Sequence, residues 1–241
     1  MRGLWAVLFA LWPGLAAAGC KTESFENLPF SVCAVTADQD LRLFHSGPDG
    51  IYGGFAAVNA ALAEQGLTLD FAMNAGMYAP DRRPLGLYIE DGVEQHGIVT
   101  SDGPGNFGLL PNGVFCADDR GFAIVESRAF AAAPPKCRLA TQSGPMLVID
   151  GALHPRFLAR SESVYIRNGV GVSGDGQTAW FVISDTAVTF HQFARFFRDG
   201  LGVPQALYLD GSISRLYAPE LGRNDLGWPM GPIIGRVRPL D

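Results

Sequence analysis

Residues 114–125 read Val114-Phe-Cys-Ala-Asp-Asp-Arg-Gly-Phe-Ala-Ile-Val125, two four-residue apolar runs joined by the polar connection Asp118-Asp119-Arg120-Gly121. A connection that short has no room for a crossover helix, so the two runs read as strands paired antiparallel in a hairpin. The same grammar recurs outward in both directions. Strand-like runs lie at 30–35 and 41–44 around the polar Asp38-Gln-Asp40, at 67–73, and at 85–89 before the turn pair Asp91-Gly92. Others follow at 107–111, 140–149, 165–172, 179–183 and 206–209, several of them ending on Asp-Gly.

Two segments have helical rather than alternating periodicity. Residues 54–65 put Phe55, Val58, Ala61 and Leu62 on one face and end at Gly66, a residue type suited to a helix C-terminus. Residues 188–201 repeat Phe190, Phe193, Ala194 and Phe197 every three or four positions and end before Pro204. The tail from Pro219 has little periodicity. About ten short strands, two main helices and mostly hairpin-length connections predict an α+β fold in one domain, built on a largely antiparallel or mixed sheet.

Composition agrees. The 241 residues are 48% hydrophobic and 17% charged, which excludes a disordered chain. The 30 glycines and 16 prolines make about 19% of the chain against an ordinary ~12%, so many tight turns are expected. The net charge of −6, with no basic run, argues against nucleic acid as a partner.

Residues 1–18 carry Arg2, an apolar core from Leu4 to Leu15 and Ala16-Ala17-Ala18, the order of a secretory signal peptide and too short an apolar stretch to span a bilayer. Removing them leaves a domain from residue 20 to 241, takes one arginine away and moves the charge from −6 to −7. A periplasmic or secreted protein with no transmembrane segment is expected. The four cysteines form no Cys-x-x-Cys pair and no zinc-ligand spacing with His45, His96, His154 or His191. Of three possible pairings, chain order favours Cys20 with Cys33 and Cys116 with Cys137, each short loop contributing roughly 3 kcal/mol. Ala17-Ala18-Gly19-Cys20 also reads as a lipoprotein cleavage box, which would place a lipid on Cys20 and leave Cys33 unpaired.

No Gly-x-Ser-x-Gly elbow, phosphate-loop pattern, His-Glu-x-x-His or dinucleotide fingerprint is present. Polar groups stand instead where apolar strands end. Asn74-Ala-Gly76 follows a buried run, as a turn or as an amide aimed at a sugar or phosphate oxygen. Thr141-Gln-Ser-Gly-Pro145 interrupts a strand. Arg167 and Asn168 sit inside an apolar alternation, where an arginine either faces water or is buried with a partner, and its guanidinium fork suits an anionic oxygen pair. Asp210-Gly-Ser212 ends the last strong strand and leads directly into Ile-Ser-Arg-Leu-Tyr217.

Taken in order, Asn74-Ala-Gly-Met-Tyr, Gln142-Ser-Gly-Pro-Met, His154-Pro-x-Phe, Arg167-Asn-Gly-Val-Gly-Val, the phenylalanine-rich helix and Leu207-Tyr-Leu-Asp-Gly-Ser212 resemble the phosphodiester glycosidase domain family, which includes the uncovering enzymes and small exported bacterial proteins. The resemblance covers nearly the whole chain after residue 18. It implies hydrolysis between a sugar's anomeric carbon and a phosphodiester. It also implies Arg167 as phosphate clamp, Asp210 as base or electrostatic stabiliser, and Asn74, Gln142, Ser143, Asn168 and Ser212 as orienting donors. Gly76, Gly144 and Gly211 would permit close backbone approach. Asp-Gly-Ser stands where the uncovering enzymes carry Asp-Gly-Gly, so the substrate's identity does not carry over.

A non-catalytic sugar-phosphate or polysaccharide binding module, and a phosphodiesterase cleaving P–O, are the alternatives. No cofactor is evident. A divalent metal on Asp210 with amide carbonyls is conceivable chemically, but no ligand set is spelled out.

Overall fold

The computed structural model describes residues 19–210 and 213–240. The hairpin on which the sequence reading turns is present, Gly113–Asp118 pairing with Gly121–Glu126 so that Val114 faces Val125. It forms one side of the second sheet, which is five-stranded and continued by Leu139–Ser143, Tyr88–Glu90 and Val93–His96. The first sheet, seven-stranded, runs Gly19–Phe25, Leu28–Thr36, Thr178–Ser184, Asn168–Val172, Gln205–Asp210, Met146–Ile149, Ala152–Leu153. The third sheet runs Arg223–Asn224, Leu216–Ala218, Leu67–Asn74, Ile233–Pro239, Leu41–Phe44. Neighbouring strands within these sheets are antiparallel throughout. The fold is thus α+β, as expected.

The three sheets close on one core. Phe181 of the seven-stranded sheet packs against Phe71 of the third sheet and Phe115 of the second, with ring centroids 5.6 Å apart in each pair. Val170, Leu207, Leu139, Met73 and Ile234 fill the space around them. The opposite face of the seven-stranded sheet is covered by the phenylalanine-rich segment. Thr189 caps it through a reciprocal bond pair with Gln192, Phe190–Arg195 is α-helical, and Phe196–Gly200 continues as a π-helix. Helix Phe55–Ala63 covers the outer face of the third sheet with Phe55, Val58 and Leu62.

Asn168–Val172 is buried along its whole length, which explains its two glycines. A Cβ on Gly171 would lie 2.7 Å from the Phe197 ring and 2.9 Å from Val203. Gly171→Ala is therefore expected to destabilise the fold by about 1–3 kcal/mol through overpacking, read as a lower denaturant midpoint; an unchanged midpoint would mean the helix yields freely.

Both disulfides pair as chain order favours. Cys20–Cys33 joins directly opposed residues of the first hairpin, and Cys116–Cys137 ties the second sheet to the loop before Leu139. Cys20 therefore has no thiol left for a lipid, and two disulfides fit an oxidising, extracytoplasmic compartment. The signal-peptide reading falls on residues 1–18, outside the described residues. Among the described residues no helix is long and apolar enough to cross a membrane.

The structure departs from the sequence reading in several places. Residues 107–111 are turns rather than a strand. The expected strand 140–149 is two strands, because at Gly144-Pro145 the chain leaves the second sheet and enters the first. Strand 165–172 begins only at Asn168, since the Arg167 amide N–H donates to the Ser184 side-chain hydroxyl of the neighbouring strand and not to a backbone carbonyl. Ser127–Ala132 adds a short helix and Gly19–Phe25 a polar edge strand. The largest departure is the tail, where Ile233–Pro239 is an inner strand. Its arginines mimic a surface loop, yet Arg236 and Arg238 both reach Asp70 on the neighbouring strand, and Gly235 lies where a Cβ would be 2.6 Å from the Phe71 carbonyl oxygen.

Candidate functional site

Three strand ends from two sheets meet at a buried pair of amides. Asn74 closes Leu67–Asn74, Asn168 opens Asn168–Val172, and both are fully buried. The Asn168 amide nitrogen donates to the Asn74 carbonyl (2.9 Å), and the Asn74 amide nitrogen donates back to Asn168 Oδ1 (3.2 Å). Asn168 Oδ1 also accepts the backbone N–H of Asp210 (3.0 Å), its register partner in the sheet. Asn74 Oδ1 accepts the backbone N–H of Arg215 (3.0 Å), and the Ser214 hydroxyl donates to the Asp210 carbonyl (2.8 Å). The two asparagines thus hold Asp210 and the segment around Arg215 in fixed positions.

Asp210 is half-buried at the end of its strand and lines a cleft of about 380 Å³ with Tyr78, Met77, Leu85 and Asn106. On the other side of Ile213, which borders both, lies a cleft of about 550 Å³ that includes Arg215, Ser214, Arg223, Asp225 and Trp228. Tyr78, Asp210 and Arg215 share one electrostatic neighbourhood. Burial first, and then the Asp210 charge, push the Tyr78 phenol up to about 12, with Arg215 opposing. At neutral pH the phenol is a proton donor.

Arg215 is 8% exposed, and burial holds its pKa below the ordinary arginine value. One of its terminal nitrogens donates to the Trp228 carbonyl, while Nε is buried with no acceptor among the described residues. The nearby Asp225 is bound by Arg223 at Nε and Nη2, and Arg223 also reaches Asp185.

Arg167 is 1% exposed and stacks on Phe190, its guanidinium carbon 3.7 Å from the ring centroid. Its nitrogens donate to the Val188 carbonyl (2.9 Å), the Ser163 carbonyl (3.2 Å) and the Tyr208 hydroxyl (3.3 Å). Burial lowers its pKa. In this geometry its side-chain hydrogen bonds among the described residues all go to protein acceptors, and it lines neither cleft.

Gln142 is likewise engaged. Its Oε1 accepts the Leu87 and Val99 N–H groups (both 3.0 Å), and its nitrogen donates to the Val99 carbonyl and the Ser127 hydroxyl. The Ser143 hydroxyl donates to the Leu209 carbonyl (2.8 Å), bracing the strand that carries Asp210. Gly76 donates its N–H to the Thr141 hydroxyl, and a Cβ there would sit 2.3 Å from the Gln142 carbonyl oxygen. Gly144 packs against Asn112, 2.6 Å from where its Cβ would be. Gly211 and Ser212 lie outside the described residues.

The structure therefore gathers Asn74, Asn168 and Asp210 at one point, with Ser143 bonded to the strand that carries Asp210, while Gly76, Gln142 and Gly144 are engaged with neighbouring backbone and side chains. Sequence reading gave no role to Tyr78 or Arg215, although Tyr78 ends the Asn74 block and Arg215 follows Asp210 by five residues. No group of three or more His, Cys, Asp or Glu residues placed to hold a metal occurs among the described residues. The carbonyls of Asn168 and Gln142 that would join Asp210 in a ligand set are already accepting N–H groups.

A phosphodiester glycosidase family model matches residues 68–230, which includes every site residue named above. The uncharacterized protein YigE of Escherichia coli (strain K12) is 40% identical over 166 residues, covering 69% of this chain and 64% of that relative. Among solved structures, the catalytic domain of zebrafish N-acetylglucosamine-1-phosphodiester alpha-N-acetylglucosaminidase, auto-inhibited by its pro-peptide, superposes with a TM-score of 0.60 at 15% identity, covering 90% of this chain and 81% of that one. A hypothetical protein from Synechocystis superposes equally well, with a TM-score of 0.60 at 14% identity, covering 90% of this chain and 61% of that one. At these identities the two structures attest the fold.

Proposed function

Because the chain belongs to the phosphodiester glycosidase family, we propose that it hydrolyses the bond between the anomeric carbon of a sugar and the phosphate of a phosphodiester. In this reaction a water oxygen bonds to the anomeric carbon, the carbon–oxygen bond to phosphate breaks, and its electron pair leaves with the phosphate. The products are the free sugar and a phosphomonoester. The observation that carries the reading is Asp210, its backbone held by Asn168 and Ser214, lining a cleft of about 380 Å³, within the size range of small-ligand pockets, together with the Tyr78 phenol, which feels both the Asp210 and the buried Arg215 charge.

In the proposed arrangement the sugar occupies the Asp210 cleft. Asp210 takes the proton of the attacking water or stabilises the positive charge that develops on the ring. Arg215 and the Tyr78 phenol face the phosphate and stabilise the charge it gains. A phosphate ester is already a fair leaving group, so a neutral phenol can serve as donor without a strong acid. Asn74 and Asn168 act through Asp210 and Arg215 as positioning residues. Arg167 enters the proposal as a positioning residue too, holding Tyr208 of the Asp210 strand against the helix that begins at Phe190.

The first test is incubation with the methyl phosphodiester of α-N-acetylglucosamine 1-phosphate, following phosphomonoester release by phosphorus NMR. Release supports the proposal, and saturable binding without release favours a binding module. Tyr78→Phe is expected to lower kcat by about 10- to 100-fold with little change in KM, because it removes a donor used as charge develops. Equal kcat would take the phenol out of the reaction.

A further inference from the structure

The larger cleft differs in chemistry between its floor and its mouth. On the floor, Asp185 and Asp225 are both engaged by Arg223, and Arg215 forms no ion pair among the described residues. At the mouth the chain turns apolar. Leu226 and Trp228 line the cleft and are 89% and 81% exposed. Val164 and Tyr165, exposed as well, immediately precede the lining residue Ile166. Four of the seven large apolar side chains exposed among the described residues are thus in the two segments that reach this one opening. The apolar tip is also tied to the cation, since Arg215 donates to the Trp228 carbonyl and a Cβ on Gly227 would lie 3.4 Å from Arg215 Cδ.

Exposed apolar side chains collected beside a polar pocket mark a binding surface rather than ordinary scatter. A cation below and an apolar rim above match an amphiphile. Resting on the glycosidase reading, we infer that the larger cleft is the leaving-group subsite and that it takes a phosphodiester carrying an aliphatic chain, with phosphate at Arg215 and chain along Leu226 and Trp228. Two features favour this occupant. A nucleotide leaving group would bring further phosphates, for which the acid-paired Arg223 has no spare charge. A sugar ring stacks on an indole laid against the floor, whereas Trp228 stands out into solvent.

The test compares methyl and octyl phosphodiesters of α-N-acetylglucosamine 1-phosphate, both below micelle-forming concentration, by calorimetric titration of the full chain carrying Asp210→Asn. The octyl ester is expected to bind about tenfold tighter or more, each buried methylene adding to affinity. Leu226→Ser with Trp228→Ser, both at exposed positions outside the core, is expected to bring the two affinities within about twofold. Equal affinities at the outset, or a preference that survives the double substitution, would overturn the inference. Hydrolysis of the methyl ester by the unsubstituted chain reads the glycosidase proposal separately. Turnover without an octyl preference rejects the subsite alone, and an octyl preference without turnover upholds binding of an alkyl phosphodiester in this cleft and rejects the reaction, and with it the leaving-group role.

Discussion

Asp210→Asn is expected to lower kcat/KM for a sugar phosphodiester by about 10²- to 10⁴-fold with the fold intact, the range over which a positioned base or a fixed charge acts. The substitution is nearly isosteric, and the backbone ties that place the residue, its N–H on Asn168 Oδ1 and its carbonyl on the Ser214 hydroxyl, are ones that asparagine at 210 keeps. What is lost is negative charge, and with it both the base and the stabilisation of a cationic ring. The Tyr78 phenol should report the same change. Its pKa is raised partly by the Asp210 charge, so in the variant it should titrate at lower pH than in the parent, visible in the ultraviolet absorbance on alkaline titration. Turnover equal to the parent's would remove Asp210 from the mechanism.

Asn168→Leu should produce the largest loss of stability, about 3–5 kcal/mol in denaturant unfolding. Leucine has nearly the same volume but no polar atoms. It would leave the Asn74 amide nitrogen, the Asn74 carbonyl and the Asp210 N–H without their present partner inside the protein, each costing about 1–3 kcal/mol when unsatisfied, with partial relaxation reducing the sum. Whatever folds should also turn over poorly, because Asp210 and the segment reaching Arg215 lose their common anchor. A loss under about 1 kcal/mol with normal turnover would show that the amide pair does not hold the site.

The fold was legible where hydrophobic alternation met a short polar turn, as at 114–125, and where aromatic residues recurred at helical spacing, as from Phe190 to Phe197. It was illegible where a strand's pattern is completed by partners distant in sequence. Ile233–Pro239 reads as loop because Arg236 and Arg238 interrupt it, and only Asp70, across the sheet, makes them strand residues. In the same way Gly144-Pro145 announces a bend, but nothing local says that the chain there changes sheets.

The site divides along the same line. Asn74, Asn168 and Asp210 stand at strand ends that pairing brings together, so polar residues closing apolar runs were a usable signal. Burial, which decides what a polar residue can touch, was not. The alternation around Arg167 leaves it either facing water or buried with a partner, and only the fold decides: it is buried, and its partners are carbonyls, a phenol and an aromatic face. Arg215 looked like one more cation after a turn, and it is the buried arginine whose Nε has no acceptor among the described residues.

In the proposed reaction water attacks the anomeric carbon and not phosphorus. Turnover of the methyl phosphodiester of α-N-acetylglucosamine 1-phosphate in water enriched in heavy oxygen, with prompt mass analysis of both products, distinguishes the two. Label is expected on the anomeric hydroxyl of the released sugar and none in methyl phosphate; label in the phosphate product would contradict attack at carbon.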